Sequence, residues 1–342
     1  MRETRCVSRT EPIAYVGGFT GRGLLEVCDD ADVLDRSGRW AVVQDFEGAL
    51  TCARFAEWSP GPPHASELGD FQGPAAGEWR SSLAEDQYVR AVARIRELIA
   101  AGEVYQVNLC RTLSAQLPQS RAQDPIRLGR ALDLGNPAPF SAALRIDGLQ
   151  IASASPELYL SRAGARLSSG PIKGTGVVAD DLSEKDRAEN VMIVDLVRND
   201  LARVCTVGTV AVPELLRIEQ HPGLVHLVST ISGQLRNSAT WAEILNACSP
   251  PGSVSGAPKL AALDVIRSLE PTPRGPYCGA IGWVDADVRS AELAVGIRTF
   301  WIDDGRLHFG TGAGITWGSD PDAEWRETEL KAAHLIGLAT GA

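Results

Sequence analysis

Lys173 stands in the glycine-rich stretch SSGPIKGTG, residues 168–176. The sequence contains 33 basic residues, and all of them except Lys173, Lys185, Lys259 and Lys331 are arginines. Arginine stays charged in proteins, whereas a lysine can lose its proton and react as an amine. In a chain that otherwise uses arginine, a lysine in a glycine-rich loop therefore favours an amine with a chemical role over a plain positive charge.

Four carboxylates occur in pairs at helical spacing. Asp186 and Glu189 share one face of a predicted helix, and Glu324 and Glu327 share one face of the last predicted helix. One interpretation is a solvated surface on which Glu327 forms an ion pair with Lys331. The other is a site for a hard cation, because carboxylates without histidine suit Mg²⁺, which proteins bind through one or two carboxylates plus substrate oxygens.

Two other glycine-rich stretches lack the residues that nucleotide binding needs. PPGSVSGAPK, residues 250–259, has no GK[ST] step, and GTGAGITWG, residues 310–318, has no acidic ribose-binding residue after it. GSVSG carries Val254 where a serine nucleophile would stand, and the five histidines include no HExxH pair. The GTGAGI turn is instead expected to expose backbone N–H groups that hold an anion next to the last helix.

Three single residues could also take part in chemistry. Glu157, in SASPELYL, is either an exposed loop carboxylate or a general acid. Arg298 is expected in the middle of the strand VGIRTFW, where a charge needs a partner, either a bound carboxylate or an internal aspartate. His226, in VHLVST, is either a hydrogen-bonded core histidine or a catalytic residue.

Helices and antiparallel hairpins must position these residues. A capping-box spacing at Ser82–Glu85 predicts the start of a helix that Gly102 ends. Asp147-Gly148 and Asp304-Gly305 predict two hairpins. Further helices are predicted over Glu184–Ala202, Thr240–Asn246, Leu260–Leu269 and Pro321–Leu338. Strands in hairpins beside separate helices predict an α+β fold.

The stretch from 57 to 79 is rich in proline and glycine and predicts a linker. We therefore expect a short β-rich N-terminal segment with this linker over residues 1–80 and a catalytic domain over residues 81–342. Within the first 80 residues, the prediction rests on Val, Ile, Trp and turn residues rather than on a recognisable motif.

The overall charge excludes some classes of partner. A net charge of −10 and a pI near 5.1 argue against a nucleic-acid partner, so an anionic substrate must be bound by local cations or a metal. No apolar run is long enough to span a membrane, and the N-terminus lacks the apolar region of a signal peptide. Seven cysteines without a CxxC pair predict reduced thiols in a cytoplasmic protein.

Nine motifs in order resemble those of the chorismate-binding enzymes, most closely the aminodeoxychorismate branch. They are SPE (155–157), PIKGTG (171–176), DRAENVMIVDLVRNDLARV (186–204), VHLVSTISGQL (225–235), PGSVSGAPK (251–259), YCGAIGW (277–283), IRTF (297–300), GTGAGI (310–315) and ExxETxxK (324–331). The resemblance covers about residues 83–340. It implies antiparallel sheets packed together with helices outside, and chorismate as the substrate with Mg²⁺ on its ring carboxylate.

The resemblance also implies a role for each candidate by motif position. Glu189 and Glu327 would bind the metal, with Asp186 and Glu324 in or near the same site. Lys173, Glu157 and His226 would be catalytic. The residues implied to bind the substrate are Gly174, Thr175, Tyr277, Arg298, Gly312, Ala313, Gly314 and Lys331.

Two positions separate the branches of the family. Gln106 stands where members that add water at C2 carry a lysine base, and Lys173 stands where anthranilate synthases usually carry alanine. The resemblance implies that Lys173 attacks C2 of chorismate while Glu157 protonates the leaving C4 hydroxyl. Ammonia would then enter at C4 and expel the lysine, giving 4-amino-4-deoxychorismate for 4-aminobenzoate and folate synthesis. The alternatives are an anthranilate synthase large subunit and a non-catalytic chorismate-binding subunit.

The same resemblance implies a protein partner. No glutaminase motif is visible in the sequence, so the ammonia is expected from a separate glutamine amidotransferase subunit. The segment before residue 80 is shorter than in most of the family, which argues against a tryptophan pocket and for an altered amidotransferase interface.

Overall fold

The computed structural model describes residues 11–63, 69–118, 123–176, 178–221 and 224–340, and within these ranges the chain forms eighteen strands and six α-helices. The strands are β1 Ile13–Val16, β2 Phe19–Cys28, β3 Arg39–Gln44, β4 Leu50–Pro60, β5 Arg80–Ser81, β6 Gln106–Gln116, β7 Phe140–Ile146, β8 Leu149–Ser155, β9 Leu158–Ala163, β10 Arg166–Gly170, β11 Ile172–Gly176, β12 Ala211–His221, β13 Leu224–Gln234, β14 Gly256–Ala257, β15 Ala280–Asp285, β16 Ser290–Val295, β17 Thr299–Asp303 and β18 Arg306–Ile315. The helices are α1 Glu85–Ala100, α2 Pro125–Gly135, α3 Glu184–Ala202, α4 Trp241–Cys248, α5 Lys259–Leu269 and α6 Pro321–Ala339.

The described strands pair only in antiparallel fashion and follow one another in a continuous series. On one side of β4 the series runs through β2, β1, β7, β8, β17, β18 and β6. On its other side it runs through β3, β15, β16, β9, β10 and β13, with β11 and β12 also beside β13. Side chains from both halves, among them Val16, Val43, Phe55, Leu144 and Ile281, form one shared core. The predicted α+β fold with antiparallel sheets packed together is confirmed.

The helices cover the outer faces of the two halves. α1 and α5 bury Tyr88, Ile95 and Ile266 against Val107 of β6 and Ile315 of β18. α2 and α6 pack on β8, β17 and β18, and α3 and α4 pack on the half that contains β9 and β13. Each helix presents one apolar stripe to a sheet, which is the pattern that the sequence shows.

The predicted helix over Glu184–Ala202 has the predicted bounds, and α4, α5 and α6 lie within two residues of their predictions. The start of α1 differs from the prediction. Ala84 is its N-cap, and the side chain of Gln87 accepts a hydrogen bond from the Ala84 N–H. The hydroxyl of Ser82 instead accepts from the N–H of Thr112 in β6, because the chain pairs with β6 before it enters the helix.

Both predicted hairpins are confirmed. Asp147-Gly148 joins β7 to β8, and Asp304-Gly305 joins β17 to β18. Asp304 and Gly305 both have positive φ, at 45° and 69°, which is the requirement of a tight two-residue hairpin.

The strands between Ile13 and Pro60 share the sheet with the rest of the chain. β1 pairs with β7, and β3 pairs with β15, while β4 continues through Pro60 into the stretch predicted as a linker. Part of that stretch, residues 64–68, lies outside the described residues. The domain division at residue 80 stays a prediction. Among the described residues, no helix has the length and apolar character needed to cross a membrane.

Candidate active site

Lys173 lies in strand β11 and not in a loop. β11 pairs with β13 at Ile172 and again at Thr175, and the register shifts between these two positions. Lys173 and Gly174 therefore form an irregularity of the kind that redirects a side chain. The Lys173 amine donates a hydrogen bond to the backbone carbonyl of Ser253, at 2.9 Å.

Gly174 has a steric reason to be glycine. Its φ is +88°, and a Cβ at this position would lie 2.8 Å from Cβ of Asp186 on α3. A side chain would both strain the backbone and push the helix away. Gly174 thus sets the distance between the strand that carries Lys173 and the helix that carries the predicted metal ligands.

Glu157 is buried beside Lys173. It follows β8, is 4% exposed, and its Oε1 atom has no hydrogen-bond partner. Burial raises the pKa of Glu157, while the hydroxyl of Ser253, the charge of Lys173 and the backbone of Ile172 favour its charged form and partly offset that rise. A buried carboxyl with a raised pKa can hold a proton and donate it, as a general acid must. Of the two interpretations of Glu157, the exposed loop carboxylate is wrong.

Gln106 and Gly314 border the same space. Gln106 is 1% exposed, and its Oε1 has no hydrogen-bond partner. A Cβ on Gly314 would lie 2.4 Å from Nε2 of Gln106 and 3.7 Å from Nζ of Lys173. Three residues from different strands, β6, β11 and β18, therefore face one space that a side chain at position 314 would fill.

The GTGAGI segment is a strand and not the expected turn. β18 pairs with β6 from Arg306 to Ile315, so Gly312, Ala313 and Gly314 lie in a regular antiparallel ladder. In such a ladder only alternate amides bond to the neighbouring strand. β17 covers the other edge of β18 only up to Phe309, so the remaining amides beyond that residue face an edge that no described strand pairs with. The turn was predicted because the glycines resemble turn residues, yet here they allow close approach of neighbouring groups.

Tyr277 and Lys331 contact this glycine segment. A Cβ on Gly310 would lie 2.0 Å from the ring of Tyr277, which is 5% exposed. Burial raises the pKa of Tyr277, so its hydroxyl stays neutral, and it accepts a long hydrogen bond from Sγ of Cys110. Nζ of Lys331 donates to the carbonyl of Gly312 at 3.1 Å.

Arg298 lies in a break between β16 and β17, which corrects its predicted place in the middle of a strand. Its φ is +52°, a left-handed conformation that interrupts the extended backbone. Burial lowers the pKa of Arg298, and among the described residues no carboxylate pairs with its guanidinium. Of the two predicted partners, the internal aspartate is wrong for the described residues, and a bound anion is the interpretation that remains.

The carboxylates on α3 and α6 meet at Lys185. Its Nζ lies 3.4 Å from Oε1 of Glu324 and 3.8 Å from Oε1 of Glu189. Burial raises the pKa of Glu189, and the charges of Asp186 and Glu324 add to that rise, whereas Lys173 and Lys185 oppose it. Carboxylates from two helices thus converge on one cation.

The other two predicted metal ligands have partners within their own helices. Asp186 accepts hydrogen bonds from the backbone N–H and the hydroxyl of Ser183, which caps α3. Glu327 forms the predicted ion pair with Lys331, at 2.6 Å. The described residues contain no group of three metal-ligating side chains. A pair of carboxylates is nevertheless what Mg²⁺ requires when substrate oxygens complete its shell, so the donor set fits that ion.

His226 and Thr175 lie opposite each other where β13 pairs with β11. His226 is 3% exposed and contacts other groups in the protein. Its catalytic role stays a prediction, as does the substrate contact of Thr175.

Two residues of this site were not predicted from the sequence. Ser253 contacts Lys173 through its carbonyl and Glu157 through its hydroxyl. No role was predicted for Lys185. The place of Ser253 in the PGSVSGAPK motif was a signal that could have identified it, whereas Lys185 had none beyond its spacing of four residues from Glu189.

Comparisons with known proteins identify relatives of this chain. A family model described as "chorismate binding enzyme" matches residues 52–337. Anthranilate synthase component 1 of Streptomyces coelicolor is 41% identical over 271 residues, which is 75% of this chain and 52% of that protein. Aminodeoxychorismate synthase component 1 of Bacillus subtilis is 37% identical over 269 residues, which is 75% of this chain and 56% of that protein. The chain thus spans little more than half the length of these relatives.

Solved structures share the fold. The menaquinone-specific isochorismate synthase of Escherichia coli has a TM-score of 0.83 at 20% identity, covering 97% of this chain and 89% of that one. At this identity the likeness establishes the architecture alone.

Proposed function

This chain belongs to the family of chorismate-binding enzymes, and we propose that within it the chain is component I of an aminodeoxychorismate synthase. The reaction would join chorismate and ammonia to give 4-amino-4-deoxychorismate. The proposal rests on one observation: Ser253 contacts both Lys173 and Glu157, which brings an amine and a buried acid close together.

The proposed first step uses these two groups together. The neutral amine of Lys173 adds to C2 of chorismate, the ring double bonds shift, and the C4–O bond breaks. Glu157 gives its proton to the departing hydroxyl, which leaves as water. A carboxyl whose pKa is raised by burial is suited to this role because it is still protonated above the ordinary range of glutamate.

The second step releases Lys173 from the ring. Ammonia adds at C4, the double bonds shift back, and the bond between C2 and the lysine nitrogen breaks. The lysine nitrogen leaves with its two hydrogens as a neutral amine, and the proton that the nitrogen at C4 loses returns to the carboxylate of Glu157. Arginine could not perform either step, since its guanidinium is not deprotonated in proteins.

The remaining candidates would hold the substrate. Arg298 has a guanidinium without a described carboxylate partner and suits a substrate carboxylate. The ring of Tyr277 packs against Gly310 of β18, the strand whose amides beyond Phe309 face an edge that no described strand pairs with. Gln106, with its free Oε1, could accept a hydrogen bond from the substrate or from ammonia.

We further propose that Mg²⁺ is held by Glu189 and Glu327, with Glu324 and Asp186 beside them. Glu324 and Glu327 share a face of α6, and Glu324 and Glu189 converge on one ammonium. When bound, the ion would neutralise a carboxylate of the substrate. The carboxylates of the chain would hold that ion, and its positive charge would offset the repulsion between the acidic protein and an anionic substrate.

The ammonia donor is proposed to be a glutamine amidotransferase subunit. Support comes from the two relatives, each of which is component 1 of a synthase. Folate synthesis as the pathway and a cytoplasmic location stay predictions.

The test is to incubate the purified chain with chorismate, Mg²⁺ and ammonium and to identify the product by mass. The expected product is 4-amino-4-deoxychorismate. Fluorescent anthranilate would instead favour the second candidate, an anthranilate synthase large subunit, which the 41% identity to such a protein supports. No turnover of chorismate would favour the third, a non-catalytic binding subunit.

A further inference from the structure

Lys185 lies between Glu189, a proposed metal ligand, and Glu324, which is proposed to lie beside the metal. It is the second residue of α3, four residues before Glu189 on the same helix, and it reaches across to Glu324 on α6. Its ammonium is therefore a link between the two helices that carry the proposed metal ligands.

The two carboxylates need a positive charge at this place. Glu324 is 4% exposed, and the side chain of Glu189 is 14% exposed, so neither is well solvated. Two buried carboxylates that approach each other repel, and burial of a charge is costly unless an opposite charge compensates it. In this structure the ammonium of Lys185 provides that compensation.

Lys185 is held much less firmly than Lys259, which also forms an ion pair with a carboxylate of α3. Nζ of Lys259 lies 2.6 Å from Oδ2 of Asp200 and also donates to two backbone carbonyls, and its side chain is 14% exposed. Lys185 has contacts of 3.4 Å and 3.8 Å, and its side chain is 48% exposed. Lys259 has the geometry of a fixed structural link, whereas Lys185 can swing into solvent without leaving a cavity.

We propose that Lys185 is an internal stand-in for the divalent cation: it keeps Glu189 and Glu324 close together until the metal binds, and the metal displaces it. The proposal rests on the metal site of the proposed function. In this role Lys185 positions the two carboxylates and also competes with the metal for them. The protein should therefore bind the metal more weakly than its carboxylates would without Lys185.

The test measures metal binding directly, without substrate and without turnover. Mn²⁺ is titrated into the full chain and the free ion is followed by electron paramagnetic resonance, for the unmodified chain and for Lys185→Met. Arg187→Met is the matched control, because Arg187 lies on the same helix and its one ion pair, with Glu184 at 3.9 Å, is exposed. Glu324→Gln shows whether the measured ion binds at this site, since it should weaken binding.

We expect Lys185→Met to bind Mn²⁺ about tenfold more tightly, because a competing unit charge is removed from the site. Without metal, the same variant should have a lower Tm, because two buried carboxylates lose their counter-charge, and Mn²⁺ should restore it. Arg187→Met should change neither quantity. Lys185→Gln provides a second variant with the same expected direction if the methionine variant does not fold.

Two results would overturn the inference. The first leaves the proposed metal site intact, and the second excludes that site as well. If the chain binds Mn²⁺ and Glu324→Gln weakens that binding, yet both Lys185 variants bind it equally or less well, then Lys185 is no competitor and the metal site stands. If neither the chain nor the variants bind Mn²⁺, the inference and the proposed metal site fail together. The proposed chemistry at Lys173 would still be open to its own test.

Discussion

The side-chain amine of Lys173 lies 2.9 Å from the backbone oxygen of Ser253, and this hydrogen bond joins β11 to the segment just before α5. The hydroxyl of the same serine contacts the carboxyl group of Glu157. One residue therefore positions both the proposed nucleophile and the proposed acid, although the two come from distant parts of the chain.

Replacing Lys173 tests the covalent step. Lys173→Ala and Lys173→Arg should both lower ammonia-dependent turnover by a factor of about 10³ or more, because neither side chain is a neutral amine. Rates are measured with ammonium as the donor, and intact mass spectrometry of the quenched enzyme should show an adduct in the unmodified chain only. Full activity in Lys173→Ala would exclude the covalent role.

Replacing Glu157 tests the acid. Glu157→Gln should lower turnover by about 10²- to 10⁴-fold, the usual contribution of a general acid. Burial raises the pKa of Glu157, so in the unmodified chain turnover should fall as pH rises through that raised value. Pre-steady-state rates measured as a function of pH give this alkaline limb of the pH profile, and the limb should be absent in Glu157→Gln.

Ser253→Ala tests whether the alkaline limb of the pH profile reports the titration of Glu157. The Ser253 hydroxyl favours the charged form of Glu157, so its removal should raise the pKa of Glu157 further and move the alkaline limb to higher pH. A limb that stays in place would show that another group titrates.

Arg298 should be needed for binding and not for folding. Its guanidinium has no carboxylate partner among the described residues, so Arg298→Lys and Arg298→Ala should not lower the Tm. Loss of a charged hydrogen bond to a substrate carboxylate should raise the KM for chorismate by about 10- to 100-fold. Arg274→Lys is the contrast, because Arg274 is 2% exposed and donates to Glu270 and to two backbone carbonyls, so its loss should lower the Tm strongly. Equal Tm losses at both positions would contradict a binding role for Arg298.

Asp45 should make the protein less stable at neutral pH than at mildly acidic pH. Burial, with a smaller contribution from the charge of Glu47, raises the pKa of Asp45 from its ordinary value of 3.8 to about 6. Between these two values the folded state binds more protons than the unfolded state, so the free energy of unfolding falls as pH rises through the window and stays lower above it. The full shift corresponds to about 3 kcal/mol, and solvent screening of this half-buried group reduces the effect to about 1–2 kcal/mol.

Asp45→Asn should therefore raise the free energy of unfolding at pH 8 by that amount and leave it nearly unchanged at pH 4. Denaturant unfolding at the two pH values measures the difference. Asp287→Asn, in the exposed turn between β15 and β16, is the control and should show no such pH dependence. A stabilisation by Asp45→Asn that is equal at both pH values would point to packing and not to charge.

Residues with a strong local pattern could be predicted from the sequence. α3 has the predicted bounds because Ser183, Asp186 and an apolar stripe all favour the same helix. The Asp304-Gly305 hairpin was predicted because both residues tolerate positive φ. The family and its fold were predicted from nine motifs in order, and the family model and the solved structure confirm them.

Features that depend on distant contacts could not be predicted from the sequence. The glycines of GTGAGI were taken for a turn because a local pattern does not show that β6 pairs with them along the whole of β18. Arg298 was placed within a strand because its left-handed φ has no signature in a stretch of Val, Ile and Phe. Ser253 was overlooked because its partners, Lys173 and Glu157, approach it only in the folded chain.

The placement of β3 has a consequence for how the chain acquires its structure. β3 pairs with β4 and with β15, and Gln44 lies opposite Ala280, so one of the earliest strands gains its second partner only after most of the chain has been made. Pairing between such remote segments slows folding, because a long loop must close before the contact is gained. Until β3 and β15 pair, each has an uncovered edge on which another chain could pair. Removal of the first sixty residues should thus produce a protein that aggregates during synthesis, even though every proposed catalytic residue lies beyond them.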